Sequence, residues 1–425
     1  MMCKEKKTAV FLAALCFASY AVSYIGRMNY SAALPGMLAE GALSKKQGGV
    51  IAAAYFASYG AGQMLNGFLA DRGNPKIQVS AGLAGSALFN LLMYFTDSAS
   101  LMPVIWGLNG YAQSLIWAPA FLMVSRYTGS RYRAEALLLL NTAPSVGTML
   151  AYGFSWLVLR LGNWRVLFLC AALALVLILG VWLLGCGAVF RAPAAPWEAA
   201  GDGASGNGKG RRPEVFKRWG LPAVSAAALL ILPSMAGGML KDGVTSWFPA
   251  YMAEEFAMPA EAAMRYSLLL PLVNMFGAAV GCRLVRRVQN EAASAGLLFF
   301  CAALCAGLLS LAGKRSPAAS AFLFALITAA MMGASVILTS EVPSRFAGLG
   351  IAASVSGFFN ACGYAGTAVS TYGIAWIAGD CGWGAARGMW IAAAVLAMGF
   401  AAAAVLPWNR FLKSREAFCL GRDQA

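Results

Sequence analysis

Histidine is absent from this sequence of 425 residues, and only 12% of the residues are charged. Histidine is the commonest metal ligand and the commonest proton-relay side chain, so its absence removes the usual basis for a metal centre. Ordinary soluble domains carry about 25% charged residues, which argues against the soluble globular class. The ten cysteines contain no CxxC pair. Without histidine, paired carboxylates or a metal-spaced cysteine set, we expect no enzymatic activity, no metal and no cofactor.

Long apolar runs are what the sequence has instead, since 60% of its residues are hydrophobic. An apolar stretch of about 20 residues is long enough to cross a bilayer as a helix. We therefore predict an all-α membrane protein with twelve transmembrane helices. The predicted spans, numbered 1 to 12 in chain order, are residues 8–36, 47–70, 77–96, 101–125, 134–160, 164–190, 219–252, 262–285, 292–312, 317–340, 347–375 and 387–407.

The segment between spans 6 and 7 has a different composition. Residues 191–218 are rich in Gly, Ala, Pro and Ser and end in a basic cluster, which is typical of a flexible linker at a membrane surface. The segment separates six spans in residues 1–190 from six spans in residues 219–425. We predict two six-helix bundles joined by a cytoplasmic linker.

The net charge of +15 follows the membrane topology. With the amino terminus inside, the inner segments hold 22 of the 32 Lys and Arg residues, the outer loops hold eight, and two lie within spans. This positive-inside bias predicts that both termini are cytoplasmic. We therefore expect an integral protein of a lipid bilayer, in a bacterial inner membrane, with no nucleic-acid partner.

Two basic residues lie near the middle of predicted spans, Arg27 in span 1 and Lys241 in span 7. An ionised side chain at the bilayer centre costs roughly 2.5–3.5 kcal/mol, so it normally faces a water-filled cavity. The two residues are 214 positions apart, and this offset predicts a parallel repeat in which each half supplies one cation to a central anion site. The same offset relates Pro35 to Pro249, Gly67 to Gly281, Arg72 to Arg286 and Arg131 to Arg345.

Aromatic and polar side chains share helix faces in two of these spans. Tyr20, Tyr24 and Arg27 follow the i, i+4, i+7 spacing, which places them on one face of span 1. Asn360 and Tyr364 repeat the i, i+4 spacing in span 11. A shared face favours a role in lining a cavity, although aromatic residues also fill helix bundles and interfacial belts without such a role.

The sequence GFLADRGNPK, residues 67–76, follows span 2. Its glycine allows a neighbouring helix to approach closely, and Asp71 can accept hydrogen bonds from a helix N-terminus or pair with Arg131 or Arg133. At this place in a twelve-span chain, the motif resembles the cytoplasmic loop signature of the major facilitator superfamily. The resemblance implies the two pseudo-symmetric six-helix bundles of that superfamily. The residues of the motif are Gly67, Asp71, Arg72 and Arg131.

Several stretches resemble the organophosphate:phosphate antiporter family within this superfamily. They are SYIGRMNYSAALPGML, YGAGQMLNGFLADRGNP, LIWAPAFLMVSRY, MLKDGVTSWFPAYMAEEF and EVPSRFAGLGIAASVSGFFNACGYAG. In the glycerol-3-phosphate and hexose-phosphate transporters of that family, one basic residue from each half binds the phosphoryl group. By this resemblance Arg27 and Lys241 hold the two phosphate-binding positions. Pocket tyrosines of the glycerol-3-phosphate transporter are matched by Tyr20, Tyr24 and Tyr59.

The sequence departs from the family at the same site. Lys241 stands where the family usually has arginine, and lysine lacks the planar fork with which arginine grips a phosphate. Asp242, beside Lys241, lowers the positive charge further. A monoanionic carboxylate therefore fits the reduced charge nearly as well as a sugar phosphate. Where the glycerol-3-phosphate transporter has a lysine, a histidine and a tyrosine, this sequence has Gln63, Pro144 and Gly238.

We expect a secondary active transporter that moves a small organic anion through alternating access, with exchange of a phosphorylated metabolite for phosphate as the leading candidate. Two alternatives stay open: a proton-coupled symporter of an organic carboxylate, and a membrane sensor that binds such an anion without transporting it. Proton coupling would need a titratable cavity group, for which Asp242 is the candidate. We expect a monomer. The expected binding residues are Arg27, Lys241, Tyr20, Tyr24, Tyr59, Gln63, Asn360 and Tyr364.

Overall fold

The protein is helical throughout the part that a computed structural model describes, which is residues 2–72, 74–128, 130–160, 163–190, 212–312, 316–346 and 351–420. Within these ranges it contains no strand. The α-helices are Met2–Ser23, Ile25–Ala39, Lys45–Arg72, Pro75–Phe95, Met102–Tyr127, Ser130–Leu159, Trp164–Phe190, Arg212–Gly238, Val244–Glu255, Ala260–Ser267, Leu269–Val288, Glu291–Ala312, Pro317–Val336, Val342–Ser344, Ala352–Asp380 and Gly382–Leu420. Two π-helices, Met239–Gly243 and Ile337–Glu341, continue the helices that precede them.

Over its described residues, each predicted span coincides with one helix or with consecutive helical pieces, and residues 347–350 of span 11 lie outside the described residues. The largest difference in bounds is in span 12, predicted at 387–407, whose helix runs over Gly382–Leu420. Its additional turns are rich in charged residues that form helices well, so an apolar run does not detect them. The helix of span 7 begins at Arg212, inside the predicted linker 191–218, and residues 191–211 lie outside the described residues.

Apolar composition identifies most of the spans. Nine helical segments in the described part of the chain are long and apolar enough to cross a membrane. The helices of spans 2, 4 and 11 are less apolar than these nine. Span 2 packs against both span 4 and span 11. A helix that is covered by neighbouring helices needs less lipid-facing apolar surface.

Spans 1 and 7 are both interrupted near mid-length. Span 1 consists of two helices that meet at Tyr24, and span 7 contains the π-helix Met239–Gly243. The 214-residue offset relates Tyr24 to position 238, the residue directly before this π-helix. Single π-turns inside α-helices are frequent at functional sites. Arg27 follows the interruption in span 1, and Lys241 lies within the π-helix of span 7.

A tryptophan–glutamate hydrogen bond recurs in both halves. The indole nitrogen of Trp164 donates to Glu40 Oε2 at 2.7 Å, and that of Trp383 donates to Glu254 Oε2 at 2.8 Å. The two glutamates are 214 positions apart, the offset that relates Arg27 to Lys241. Each bond joins the first and last spans of its half, which supports the predicted internal repeat.

The halves contact each other on one side of the bundle. We call the side that holds residues 2 and 420 the inner side, which the charge distribution predicts to be cytoplasmic, and the opposite side the outer side. Three ion pairs and two hydrogen bonds between described residues connect the halves on the outer side. The ion pairs are Lys45–Glu254 at 2.6 Å, Lys46–Asp380 at 3.0 Å and Arg160–Glu261 at 3.9 Å. The hydrogen bonds run from the Tyr152 hydroxyl to the Thr245 carbonyl at 3.0 Å and from Lys45 Nζ to the Ala378 carbonyl at 3.4 Å.

The loop motif of the first half is described only in part. Gly67, Asp71 and Arg72 lie in the helix of span 2 and Arg131 lies in that of span 5, but their side chains are outside the described part. In the second half, the residues equivalent to Gly67 and Arg131 are described. Gly281 approaches the backbone of Gly333 in span 10, and Arg345 donates to the buried carboxylate of Glu291 at 2.6 Å.

Glycine permits the close packing of spans 7 and 11. A methyl group on Gly366 would overlap the backbone of Met235, which cannot move aside as a side chain can. We expect Gly366→Ala to lower the melting temperature of the purified protein, at a cost of about 1–3 kcal/mol, because overpacking forces the helices apart.

Gly399→Ala is the matched control for this substitution. A methyl group there meets nothing within 4 Å, and alanine favours a helix over glycine. Its melting temperature should therefore equal or exceed that of the unmodified protein. Equal melting temperatures for the two variants would contradict the close contact.

Candidate functional site

A cavity of about 460 Å³ lies between the two halves. This volume is within the roughly 300–1,000 Å³ of small-molecule sites. Seven of the eight predicted binding residues line it, from spans 1, 2, 7 and 11, together with Trp117 and Asn274. The seven are Lys241, Tyr20, Tyr24, Tyr59, Gln63, Asn360 and Tyr364.

The cavity occupies the inner half of the bundle. Its lining residues in spans 4, 5, 10 and 11 come from the halves of those helices nearest the inner side, for example Phe121, Asn141, Ser340 and Gly357, all of which are exposed. On the outer side, the ion pairs between the halves close the bundle. The structure therefore has its central site accessible from the side predicted to be cytoplasmic.

Arg27 is the predicted binding residue that does not line the cavity. Its side chain is buried, with 6% of the residue exposed, and it contacts a small void together with Ser31, Trp106 and Ser246. No carboxylate in the described part of the chain forms a salt bridge with Arg27, and its Nε has no hydrogen-bond partner. The expectation that both cations face one water-filled chamber is met by Lys241 alone in this conformation.

Aromatic rings separate Arg27 from the cavity. The Arg27 guanidinium carbon lies 4.7 Å from the Tyr59 ring centroid and 5.1 Å from that of Tyr24, and both tyrosines line the cavity. The rings of Tyr55 and Phe56 cover other sides, at 5.7 and 5.6 Å. Cation–π contacts of this kind are worth about 2 kcal/mol or more when desolvated, which offsets part of the cost of the buried charge.

Four tyrosine rings, from both halves, line the cavity near Arg27. The Tyr59 ring lies 4.8 Å from the Tyr364 ring, and the Tyr20 and Tyr24 rings are 5.4 Å apart in an edge-to-face arrangement. Gln63 donates to the Tyr59 hydroxyl at 2.9 Å. We call Tyr20, Tyr24, Tyr59 and Tyr364 the tyrosine layer. It has the cavity on one face and the Arg27 guanidinium on the other.

Polar side chains from spans 3 and 4 hold the interruption in span 1. The Gly26 carbonyl accepts hydrogen bonds from Asn90 at 3.2 Å and Asn109 at 3.0 Å, and the Ser23 carbonyl accepts one from Gln113 at 2.9 Å. A broken helix at bilayer depth needs such partners for its freed backbone groups. These contacts fix the start of the second helix, and with it the position of Arg27.

Lys241 and Asp242 both face the cavity from the π-helix of span 7. Lys241 Nζ lies 3.5 Å from Asp242 Oδ2, and the side chains are 21% and 19% exposed. Neighbouring residues of an ideal α-helix point about 100° apart. The wider π-turn allows both side chains to reach the same space. Among the described lining residues, these two carry the only formal charges.

Sequence reasoning missed much of the uncharged lining. Asn141, Ser145 and Thr148 in span 5 face the cavity, and so do Thr339 and Ser356 in spans 10 and 11. The three polar residues in span 5 have the i, i+4, i+7 spacing that marked Tyr20, Tyr24 and Arg27 in span 1. The same criterion applied to span 5 detects them. In span 10 the π-helix changes which side chains face inward, so regular spacing fails.

The sequence profile of the Major Facilitator Superfamily matches residues 16–371. The chain belongs to this superfamily. It is therefore a membrane transport protein by family and not an enzyme, as the sequence predicted. Within the described part of the chain, no group of three His, Cys, Asp or Glu residues is arranged to hold a metal ion.

Three curated relatives are similar to parts of the chain, and two of them are named as transporters of phosphorylated metabolites. The chain is 26% identical over 167 residues to a probable hexose phosphate transport protein of Chlamydia pneumoniae, covering 38% of this chain and 37% of that protein. It is 32% identical over 131 residues to the membrane sensor protein UhpC of Escherichia coli, covering 30% and 29%. It is 31% identical over 137 residues to the glycerol-3-phosphate transporter of Haemophilus influenzae, covering 31% and 28%. The chain thus matches about a third of each relative's length.

Solved structures share the fold over nearly the whole chain. A bacterial homologue of the human lysosomal transporter Spinster, in an inward-facing and unoccupied conformation, has a TM-score of 0.74 at 17% identity, covering 96% of this chain and 98% of that one. The peptide transporter POT in complex with sulfate has a TM-score of 0.72 at 14% identity, covering 95% and 99%. These similarities establish the all-α transporter fold.

The tyrosine layer predicts a difference in chemical accessibility. With the native cysteines replaced by serine, Ser340→Cys should react with a membrane-impermeant maleimide in inside-out vesicles, because Ser340 is exposed in the cavity. Ser246→Cys, beside Arg27, should react much more slowly, because it is buried beyond the layer. Equal labelling rates would contradict a closed layer.

Proposed function

We propose that the protein is a secondary carrier of organophosphates that exchanges them for inorganic phosphate across a bacterial inner membrane. The observation that carries the proposal is Lys241, a partly exposed cation in a cavity between two structurally repeated halves. A lysine or arginine placed this way attracts an anion, and the relatives named above include transporters of hexose phosphate and glycerol-3-phosphate. Hydroxyl and amide groups of the lining are suited to the rest of such a molecule.

In this proposal the substrate enters from the inner side and reaches Lys241 first. Its phosphoryl group then draws the Arg27 guanidinium, which has no carboxylate partner among the described residues. Rotation of Tyr24 and Tyr59 would admit the guanidinium to the cavity, since their rings are what separate the two. A phosphoryl group held between cations from both halves pulls the halves together, and the outer side can then open.

Exchange follows from the cost of an empty site. Without an anion, the Arg27 charge has no carboxylate partner among the described residues and approaches Lys241 when the cavity closes, which disfavours return of the empty carrier. Phosphate or a phosphate ester removes that repulsion.

Proton-coupled symport of a carboxylate is the competing scheme, and it makes Asp242 the proton acceptor. Uptake driven by a proton gradient into vesicles that contain no phosphate would favour it.

A membrane sensor is the second candidate, because one relative is the sensor protein UhpC. A sensor binds the same anion but does not move it. Purified protein that binds an organophosphate in calorimetry, yet accumulates none in phosphate-loaded proteoliposomes, would support the sensor. Accumulation that depends on internal phosphate would support the carrier.

Removal of the cavity cation tests the proposal directly. In proteoliposomes loaded with phosphate, Lys241→Gln should lower uptake of labelled glucose 6-phosphate by at least about tenfold, because a charge-assisted contact to the phosphoryl group is lost. Lys241→Arg should retain uptake, since it keeps the charge. Lys413→Gln removes an exposed lysine outside the cavity lining and serves as the control. Unchanged uptake by Lys241→Gln would contradict the proposal.

The ion pairs on the outer side should determine how often that side opens. Lys45 holds Glu254 at 2.6 Å and contacts the Ala378 carbonyl at 3.4 Å, so it ties the first half to spans 7 and 11. Lys45→Ala should increase maleimide labelling of Ser246→Cys in right-side-out vesicles, because the outer side opens more often. Lys46→Ala is the control, since its pair with Asp380 is half exposed and worth about 0.2–1 kcal/mol. Equal labelling with both variants would argue against Lys45 as the closing contact.

A further inference from the structure

The charges around the central site do not match an ordinary phosphate ester. Lys241 and Asp242 cancel each other, and Arg27 beyond the tyrosine layer leaves a sum of +1. A phosphate monoester carries about −1.5 to −2 at pH 7. In a low-dielectric cavity an unmatched charge is costly. A substrate with a net charge near −1 would balance the site.

Asp242 is also available to a ligand. The only partner of its carboxylate among the described residues is Lys241 Nζ, at 3.5 Å from Oδ2. This distance is longer than the usual 2.7–2.9 Å of a charge-assisted hydrogen bond. Its side chain is 19% exposed and faces the cavity. A carboxylate that served only to neutralise Lys241 would be expected to lie in direct hydrogen-bond contact with it.

The rest of the lining supplies no competing charge. The other described lining residues are uncharged, and the polar ones include Thr245, Asn274 and Asn360. Such groups bind hydroxyls but do not discriminate for an ammonium group. Among the described lining residues, recognition of a cationic group by an opposite charge therefore falls to Asp242.

We propose that the preferred substrate is an organophosphate that also carries an ammonium group, with the phosphoryl group at Lys241 and the ammonium group at Asp242. The inference rests on the proposed function and narrows its substrate class. An ammonium group reduces the negative charge of the ester by one unit, to about −0.5 to −1 at pH 7, and its three N–H donors can bond to a carboxylate that has acceptor capacity free. The two charged groups of the ligand thus meet oppositely charged neighbours in the π-helix of span 7.

Two sugar phosphates that differ at one group provide the test. Glucosamine 6-phosphate carries an ammonium group where glucose 6-phosphate has a hydroxyl. At a pH that keeps the amine protonated, calorimetry with the wild-type protein should give an affinity for glucosamine 6-phosphate higher by about tenfold, because one charge-assisted contact is added. Asp242→Asn keeps the shape and removes the charge, so it should abolish this preference while glucose 6-phosphate binds at least as well as before.

Each outcome of the test decides. Equal affinities in the wild-type protein, or a preference that survives in Asp242→Asn, would overturn the inference and leave the proposed function intact. Binding of neither sugar phosphate to the wild type would overturn both. The melting temperature of Asp242→Asn, together with its retained binding of glucose 6-phosphate, distinguishes a lost contact from a misfolded variant.

Discussion

A buried charge in a bilayer must be compensated, and the centre of this protein is organised around that requirement. Arg27 has no carboxylate partner in the described structure, and it lies among four aromatic rings. Those contacts offset only part of the cost of its burial. Its Nε remains unpaired, so the resting structure keeps a strong anion-binding group unused. In the proposed mechanism, the negative charge of an incoming anion compensates the positive charge of Arg27.

The two halves meet the same requirement by different means. Their frameworks share one feature, the Glu40–Trp164 and Glu254–Trp383 bonds, whose glutamates are 214 positions apart. Their cations differ, because Lys241 is partly exposed and has Asp242 beside it, whereas Arg27 is buried. A substrate reaching the cavity therefore meets the weaker cation first. The stronger one becomes available only after the tyrosine layer rearranges.

The helical spans and several of the cavity residues were predictable from the sequence. Apolar runs gave the twelve spans, and the helix-face spacing of Tyr20 and Tyr24 identified cavity residues. The burial of Arg27 was not predictable, because it depends on Tyr55 and Phe56 in span 2, whose orientation is set by packing between helices. The π-helices were also missed, since a helix with an extra residue in one turn has no sequence signature that apolar periodicity detects. Polar partners far along the chain, such as Asn109, stabilise the break in span 1.

In the proposed mechanism, the tyrosine layer relates substrate binding to closure of the inner side. Tyr59 belongs to the first half and Tyr364 to the second, and their rings are in contact at 4.8 Å. Movement of Tyr59 toward or away from Arg27 therefore alters a contact between the halves. The outer ion pairs lie on the other side of the same layer. A change at the layer is thus positioned to weaken the outer contacts as the inner cavity closes, which is what alternate exposure of one site requires.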